Sequence, residues 1–218
     1  MAVVLDHLVV AARSLDEGVA WCEAILGVTP GPGGRHALMG THNRLVNLSS
    51  DAFPNSYLEI IAIDPDAPPP GRTRWYDLDD AALQDALAEG PQLIHWVARS
   101  SNLQADLRAL SAAGWDGGEA IPVERGDLRW QISVRPDGRR LCDGVLPTLI
   151  QWGPKHPCDD MPASGLGLQS LTVEGLPEQV MLALKPEGID DLPKSPASRL
   201  KAVFSAPNGL MELASHPR

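Results

Sequence analysis

Apolar positions in this chain gather into short runs of strand length, separated by turn-forming residues, with few long helical stripes. The run Val3-Val4-Leu5-Asp6-His7-Leu8-Val9-Val10 has the β-branched content of a strand. Side chains alternate across a strand, so His7 is expected to share a face with Leu5 and Val9. Ser14 then reads as a helix cap with Glu17 placed to reciprocate, and the helix should run to about Leu26 and stop at Gly27. Gly31 to Gly34 is too rich in Gly and Pro for regular structure. His36 to Met39, His42 to Leu48 and Tyr57 to Ile63 supply three further strands. Residues 1–64 thus read as one βαβββ module.

The same order returns roughly 90 residues later. Pro65 to Pro70 is a break that sustains neither a helix nor an inner strand. Residues 65–91 are read as a linker carrying a short helix over Trp75 to Glu89. A second module over 92–157 begins with the strand Leu93-Ile94-His95-Trp96-Val97-Ala98 and continues with a helix from about Asn102 to Ala113, closed by Gly114. Strands over Ala120 to Glu124, Leu128 to Arg135 and Thr148 to Trp152 complete it. From Gly165 the pattern runs strand, helix from near Pro177, then a hairpin turning at Pro207-Asn208-Gly209, a partial third unit over 165–218. Its last strand carries Glu212 where the first module has Glu59. The predicted fold is α+β: paired βαβββ modules forming curved mixed β-sheets around a central groove, with an additional partial C-terminal βαββ unit.

Composition narrows the function classes. With 28 acidic against 18 basic residues the formal charge is -10, which disfavours nucleic acid as a partner. No apolar stretch approaches the ~20 residues of a membrane helix, so no membrane partner is expected and the cytoplasm is the default location. Cys22, Cys142 and Cys158 form neither an even set nor a CxxC pair and are read as reduced thiols. No phosphate-cradling GxxxxGK, GxGxxG after a strand or GxSxG elbow occurs.

Candidate chemistry lies in the repeat. His7 and His95 stand in equivalent strands, and each is answered some ~50 to 60 residues later by an oxygen-bearing strand residue, Glu59 or Gln151. A carboxylate among Ile and Leu is costly to bury unless paired, hydrogen-bonded or metal-bound. Two imidazoles and a carboxylate, with a weaker amide oxygen from Gln151, match a mixed nitrogen and oxygen set for a divalent first-row ion. The glycine-flanked run from Gly33 to Arg44 adds His42, Asn43 and Arg44 as pocket-lining candidates, with His36 and His42 as rival ligands; turn and strand chemistry is the alternative. Arg99, on the His95 face, is a candidate partner for a substrate carboxylate, against an ordinary salt bridge. His156 and His216 read as loop and terminal residues.

The segments Leu5-Asp6-His7-Leu8-Val9-Val10, Gly34-Arg35-His36, Gly40-Thr41-His42-Asn43-Arg44-Leu45, Tyr57-Leu58-Glu59-Ile60-Ile61-Ala62-Ile63-Asp64-Pro65 and Leu149-Ile150-Gln151-Trp152 resemble the glyoxalase-like domain family of the vicinal oxygen chelate (glyoxalase/bleomycin resistance/dioxygenase) superfamily. The resemblance runs from about Val3 through Pro157. It implies metal ligands from the first and last strands of the modules, carried here onto His7, Glu59, His95 and Gln151. A glyoxalase I commonly has Glu at the position corresponding to Gln151, and this chain carries an added C-terminal unit.

The leading expectation is a metal-dependent enzyme (Zn, Ni, Co, Mn or Fe) acting on a small oxygenated organic substrate. The ion would serve as Lewis acid and Glu59 as ligand and base, giving isomerase or lyase chemistry through an enediolate-like charge. Two alternatives stand beside it: an iron-dependent extradiol-type dioxygenase, and a non-catalytic protein that sequesters a small molecule in the same groove. A homodimer is compatible with either.

Overall fold

Continuous apolar strands need cover on both faces, and in the computed structural model the first strand, β1 (Val4–Ala11), is buried along almost its whole length. The structure describes residues 2–192, 198–206 and 209–216. After β1 come α1 (Leu15–Leu26), β2 (Arg35–His36), β3 (Thr41–Asn47) and β4 (Tyr57–Ile63). The Ser14 hydroxyl accepts from the Glu17 N–H, and Gly27 closes the helix at φ 73°, a left-handed value that glycine adopts without strain. A second series follows: α2 (Ala81–Leu87), β5 (Gln92–Arg99), α3 (Leu103–Ala112), β6 (Glu119–Arg125), β7 (Leu128–Val134) and β8 (Thr148–Trp152).

These strands form one curled, mixed eight-stranded sheet in the order β2-β3-β4-β1-β5-β8-β7-β6, a half-barrel. The order is nearly symmetric about the antiparallel β1/β5 pair. On either side the first strand of a series pairs in parallel with its last, β1 with β4 and β5 with β8. Helix α2 is shorter than the Trp75 to Glu89 expectation. Tyr76 and Asp77 both sit at φ 60°, which no helix accepts, and the helix starts only after the Asp80 cap.

Both first strands contain a one-residue bulge. Leu5 faces Ala98 and His7 faces Val97, leaving Asp6 unmatched; Val9 faces His95 and Val10 faces Leu93, leaving Ile94 unmatched. The extra residue inverts the alternation. Leu5, Leu8 and Val10 therefore lie on the helix-covered face, while His7 and Val9 lie on the concave face, correcting the expectation that His7 shares a face with Leu5.

The remaining segment contains β9 (Gly167–Glu174), α4 (Glu178–Leu184), β10 (Asp190–Leu192), β11 (Arg199–Ala206) and β12 (Gly209–Ala214), forming a separate sheet ordered β10-β9-β11-β12. Pro207 and Asn208 of the expected hairpin turn lie outside the described residues. This unit does not repeat the module topology: β9 takes the short β10 as its parallel partner, and β12 lies at the sheet edge. Glu212 accordingly pairs with Lys201 at 2.8 Å and has no equivalence to Glu59. The unit closes the helix-side core. Leu168, Leu171, Val173, Leu184, Leu200 and Phe204 join one apolar cluster with Leu8, Val10 and Trp96, and backbone bonds run from Val3 to Leu184 and from Leu168 to Leu48. No helix among the described residues is long and apolar enough to cross a membrane.

Candidate functional site

The first bulge sets the site. With Asp6 extruded, its carboxylate turns beside the next side chain and accepts from His7 Nδ1 at 2.7 Å. Trp152 Nε1 and His156 Nε2 donate to its other oxygen at 3.0 and 3.1 Å. Burial would raise the Asp6 carboxyl, but the hydrogen bonds from His156 and His7 prevail and hold it well below the usual carboxylate range. An ionised Asp6 keeps a proton on His7 Nδ1, which leaves His7 Nε2 as the nitrogen turned to the concave face and Glu59. The His7 ring stacks on Tyr57 with centroids 4.5 Å apart. His156, expected to be an ordinary loop residue, is buried and part of this arrangement.

Glu59 stands two residues along from Tyr57 on β4 and faces the same side. It is 5% exposed, and its Oε2 lies 3.6 Å from His7 Nε2. Asn43 Nδ2 donates to Glu59 Oε1 at 2.6 Å and also reaches His36 Nε2 at 3.3 Å, while Asn43 Oδ1 accepts from the Gly34 N–H at 2.7 Å. His36 Nδ1 in turn meets Thr41 Oγ1 at 3.0 Å. Burial pushes His36 down to about 4 despite the opposing charge of Glu59, so it is neutral at pH 7. Trp75, Tyr76, Arg125, Trp130, Ile132, Ile150 and Trp152 complete the walls of the chamber around this cluster.

His95 shares the concave face with His7, because each faces a residue two positions from the other across the β1/β5 pair. Its ring is committed elsewhere. Nδ1 donates to the Gly144 carbonyl at 2.9 Å, and Nε2 accepts from the Thr148 N–H at 3.1 Å with the Thr148 hydroxyl at 3.0 Å. Burial, reinforced by the Arg140 charge, lowers it to about 3. Tyr76, tilted against His95 at 5.1 Å and stacked on Trp75 at 5.2 Å, stands between His95 and the His7 chamber.

The register also corrects the pairing of Glu59 with Gln151. Val9, two beyond His7, faces Glu59; Val97, two beyond His95, faces Thr148. Thr148 is therefore the counterpart of Glu59. Gln151 lies on the helix-covered face, where its Oε1 accepts from the Leu103 N–H at 2.7 Å and caps α3. The structure thus brings His7 and Glu59 together and leaves His95 and Gln151 outside. Among the described residues no group of three or more His, Cys, Asp or Glu is placed to hold a metal ion. The expected four-ligand set does not fit a divalent ion as these residues are arranged; of the four, His7 Nε2 and Glu59 Oε2 lie together, 3.6 Å apart.

Of the other candidates, Asn43 lies in the chamber. His42 and Arg44 alternate to the outer face of β3, where His42 Nδ1 is 3.9 Å from Asp64. Arg99 donates to the carbonyls of Asn55 and Pro54 at 3.3 Å and lies 3.9 Å from Asp6, an ordinary structural tie. Sequence reasoning missed Asp6, Trp75, Tyr76 and Arg125. An acid beside a histidine in an apolar run was a visible signal for Asp6; the other three sit in segments that read as linker and hairpin turn.

The half-barrel of two βαβββ series, with acid-base groups on its concave face, defines the vicinal oxygen chelate class. A family model described as a glyoxalase-like domain matches residues 5–186, and the chain belongs to that family. Among solved structures, a hypothetical protein from Staphylococcus aureus is similar over 98% of this chain and 85% of its own, at 14% identity and a TM-score of 0.60. A variant of Streptomyces coelicolor methylmalonyl-CoA epimerase, in complex with 2-nitronate-propionyl-CoA, covers 70% of this chain and 96% of its own at 19% identity and a TM-score of 0.45. A methylmalonyl-CoA epimerase bound to methylmalonyl-CoA covers 72% and 99%, at 18% identity and a TM-score of 0.47. No curated protein matches the chain. At these identities the solved structures speak to the fold alone.

Proposed function

We propose that the chamber binds a small oxygenated organic molecule and moves a proton on a carbon next to one of its carbonyl or carboxyl groups, an isomerase or lyase type of reaction. The observation that carries this reading is the Glu59 carboxylate, buried in an aromatic-walled chamber with one oxygen held by Asn43 and the other 3.6 Å from His7 Nε2. Glu59 takes the proton from the substrate carbon; the C–H electron pair forms a double bond to the adjacent carbonyl carbon as that carbonyl's π pair moves onto its oxygen, giving an enolate. His7, fixed by Asp6, accepts or returns a proton through Nε2. In general acid-base catalysis such a positioned group contributes typically about 10²- to 10⁴-fold. The finer form of the expectation, metal dependence, rests on His7 and Glu59 alone.

The Trp75-Tyr76 wall of the chamber is held by the ion pair from Arg140 to the adjacent Asp77 at 3.0 Å, with Tyr76 and Asp77 both in the left-handed region.

The test is hydrogen-deuterium exchange at carbon. Small 2-oxo and 2-hydroxy acids and their amides are incubated in D₂O with chelated protein, then with added Zn, Ni, Co, Mn or Fe, and followed by proton NMR. Exchange that falls by about 100-fold or more in Glu59→Gln supports the reading. Exchange unchanged in both Glu59→Gln and His7→Ala overturns it, and saturable binding without any exchange leaves the non-catalytic binder in its place.

A further inference from the structure

We infer that the ligand of the chamber is a small monocarboxylate, recognised by Arg125 with the indole N–H of Trp75. This rests on the proposed use of the chamber and names the substrate class. Two buried donors lining it have no acceptor among the described residues: Arg125 Nη1 and Trp75 Nε1. A buried donor without a partner is costly, and native structures rarely keep one unless something else supplies the acceptor. Two such donors on one small chamber point to an acceptor that arrives with the ligand.

The seat of Arg125 is built. It extends from the end of β6 in the second series across to the glycine run of the first, where a Cβ on Gly34 would stand 2.4 Å from Nη1 and 2.8 Å from Cζ. Any side chain at that position would evict the guanidinium. Trp130 supports it from the other side, with Cζ 5.9 Å from the ring centroid. The same Gly34 donates to Asn43, which holds Glu59, so the seat of the guanidinium and the carboxylate base are joined by one hydrogen-bonded chain.

Charge selects the class of anion. Asp6 and Glu59 already place acidic groups around His7. A single guanidinium balances a single carboxylate; a phosphate dianion would leave charge uncompensated beside Glu59. Trp130, Trp152 and Trp75 give the remainder of the ligand flat apolar walls.

These tryptophans also report binding. Lactate and mandelate, and the uncharged lactamide and mandelamide of nearly the same shape, are titrated into the full chain by intrinsic fluorescence. Saturable binding of the acids, with the amides weaker by at least about tenfold, is the expected result. Arg125→Met should erase that preference and Arg125→Lys keep part of it, with circular dichroism confirming the fold of each. Equal binding of acids and amides, unaltered acid binding in Arg125→Met, or no saturable response to either acid overturns the inference. If acids bind through Arg125 yet no carbon exchange occurs, the proton-transfer reading fails alone. If exchange proceeds equally on acids and amides, the carboxylate inference fails alone.

Discussion

The two first strands, β1 and β5, use the same backbone device and reach opposite ends. Each extrudes one residue just before its histidine, and each faces, two residues further on, the last strand of its own series. In β1 the extruded residue is Asp6 and the facing residue is Glu59; in β5 they are Ile94 and Thr148. Asp6 holds His7 Nδ1 and frees Nε2 toward a carboxylate. The Ile94 side chain offers His95 no acceptor, so His95 takes a backbone carbonyl on one nitrogen and a backbone N–H on the other. Two residue identities on one template thus separate an imidazole available for chemistry from one that ties a loop to a strand.

The largest expected effect falls on turnover. Glu59→Gln and His7→Ala should each reduce carbon exchange by about 10²- to 10⁴-fold while the protein stays folded. His95→Ala should leave any exchange that survives folding within a small factor of the wild type. Matched exchange rates and thermal melts decide it, and an exchange loss in folded His95→Ala as large as that in His7→Ala would erase the distinction between the two strands.

Stability should show the reverse order. His95→Ala strands the Gly144 carbonyl and the Thr148 N–H in the interior, and each unsatisfied buried group costs about 1 to 3 kcal/mol. His7→Ala strands only part of the Asp6 acceptor set, since Trp152 and His156 still donate to it. Urea unfolding should therefore place His95→Ala below His7→Ala, and the opposite ranking would mean that the bonds around His95 are not structural.

Much of this was legible in the residues. The repeated strand and helix order and the capped α1 with its Gly27 stop follow from periodicity and turn chemistry, as does the standing of His7 and Glu59 within strands. What periodicity cannot carry is parity across a bulge. One extruded residue moves every later side chain to the other face, which is why Leu5 and His7 part company. Strand register is equally silent in sequence: Gln151 looked equivalent to Glu59 because both interrupt apolar runs, yet pairing makes Thr148 the counterpart. Trp75, Tyr76 and Arg125 enter the chamber from a linker and a hairpin end, and their positions depend on how the sheet curls.

The pH dependence of folding sharpens the comparison at a smaller scale. His36 and His95 lie at about 4 and about 3 in the folded protein, against 6.5 for an ordinary histidine. As pH falls below about 6.5 the unfolded chain binds protons that the folded chain refuses, so stability drops with acid. The decline should continue to about pH 4, where His36 begins to protonate in the folded state, and to about pH 3 for His95. Each histidine contributes a slope of up to about 1.4 kcal/mol per pH unit within its window. His95→Asn keeps a donor for Gly144 and removes the titrating ring. Urea midpoints between pH 7 and 4 should therefore fall less steeply in that variant, and an identical slope would show that His95 is not held neutral by burial.

The smallest effect belongs to the residue that sequence reasoning ranked with the ligands. Gln151 accepts from the Leu103 N–H on the helix-covered face of β8, one of the otherwise unpartnered donors at the start of α3, where Asn102 already accepts from Ala105 at 3.1 Å. Gln151→Leu removes one of these two partners and adds apolar surface against the helix. Loss of such a cap costs about 1 kcal/mol, a fall in melting temperature of about 2 to 4 °C for a chain of this size. Carbon exchange and the preference for acids over amides should not change, because the chamber lies on the other side of the sheet. A folded Gln151→Leu protein that loses exchange as Glu59→Gln does would put Gln151 back at the reacting centre, and with it the symmetric four-ligand arrangement that the register of β5 and β8 argues against.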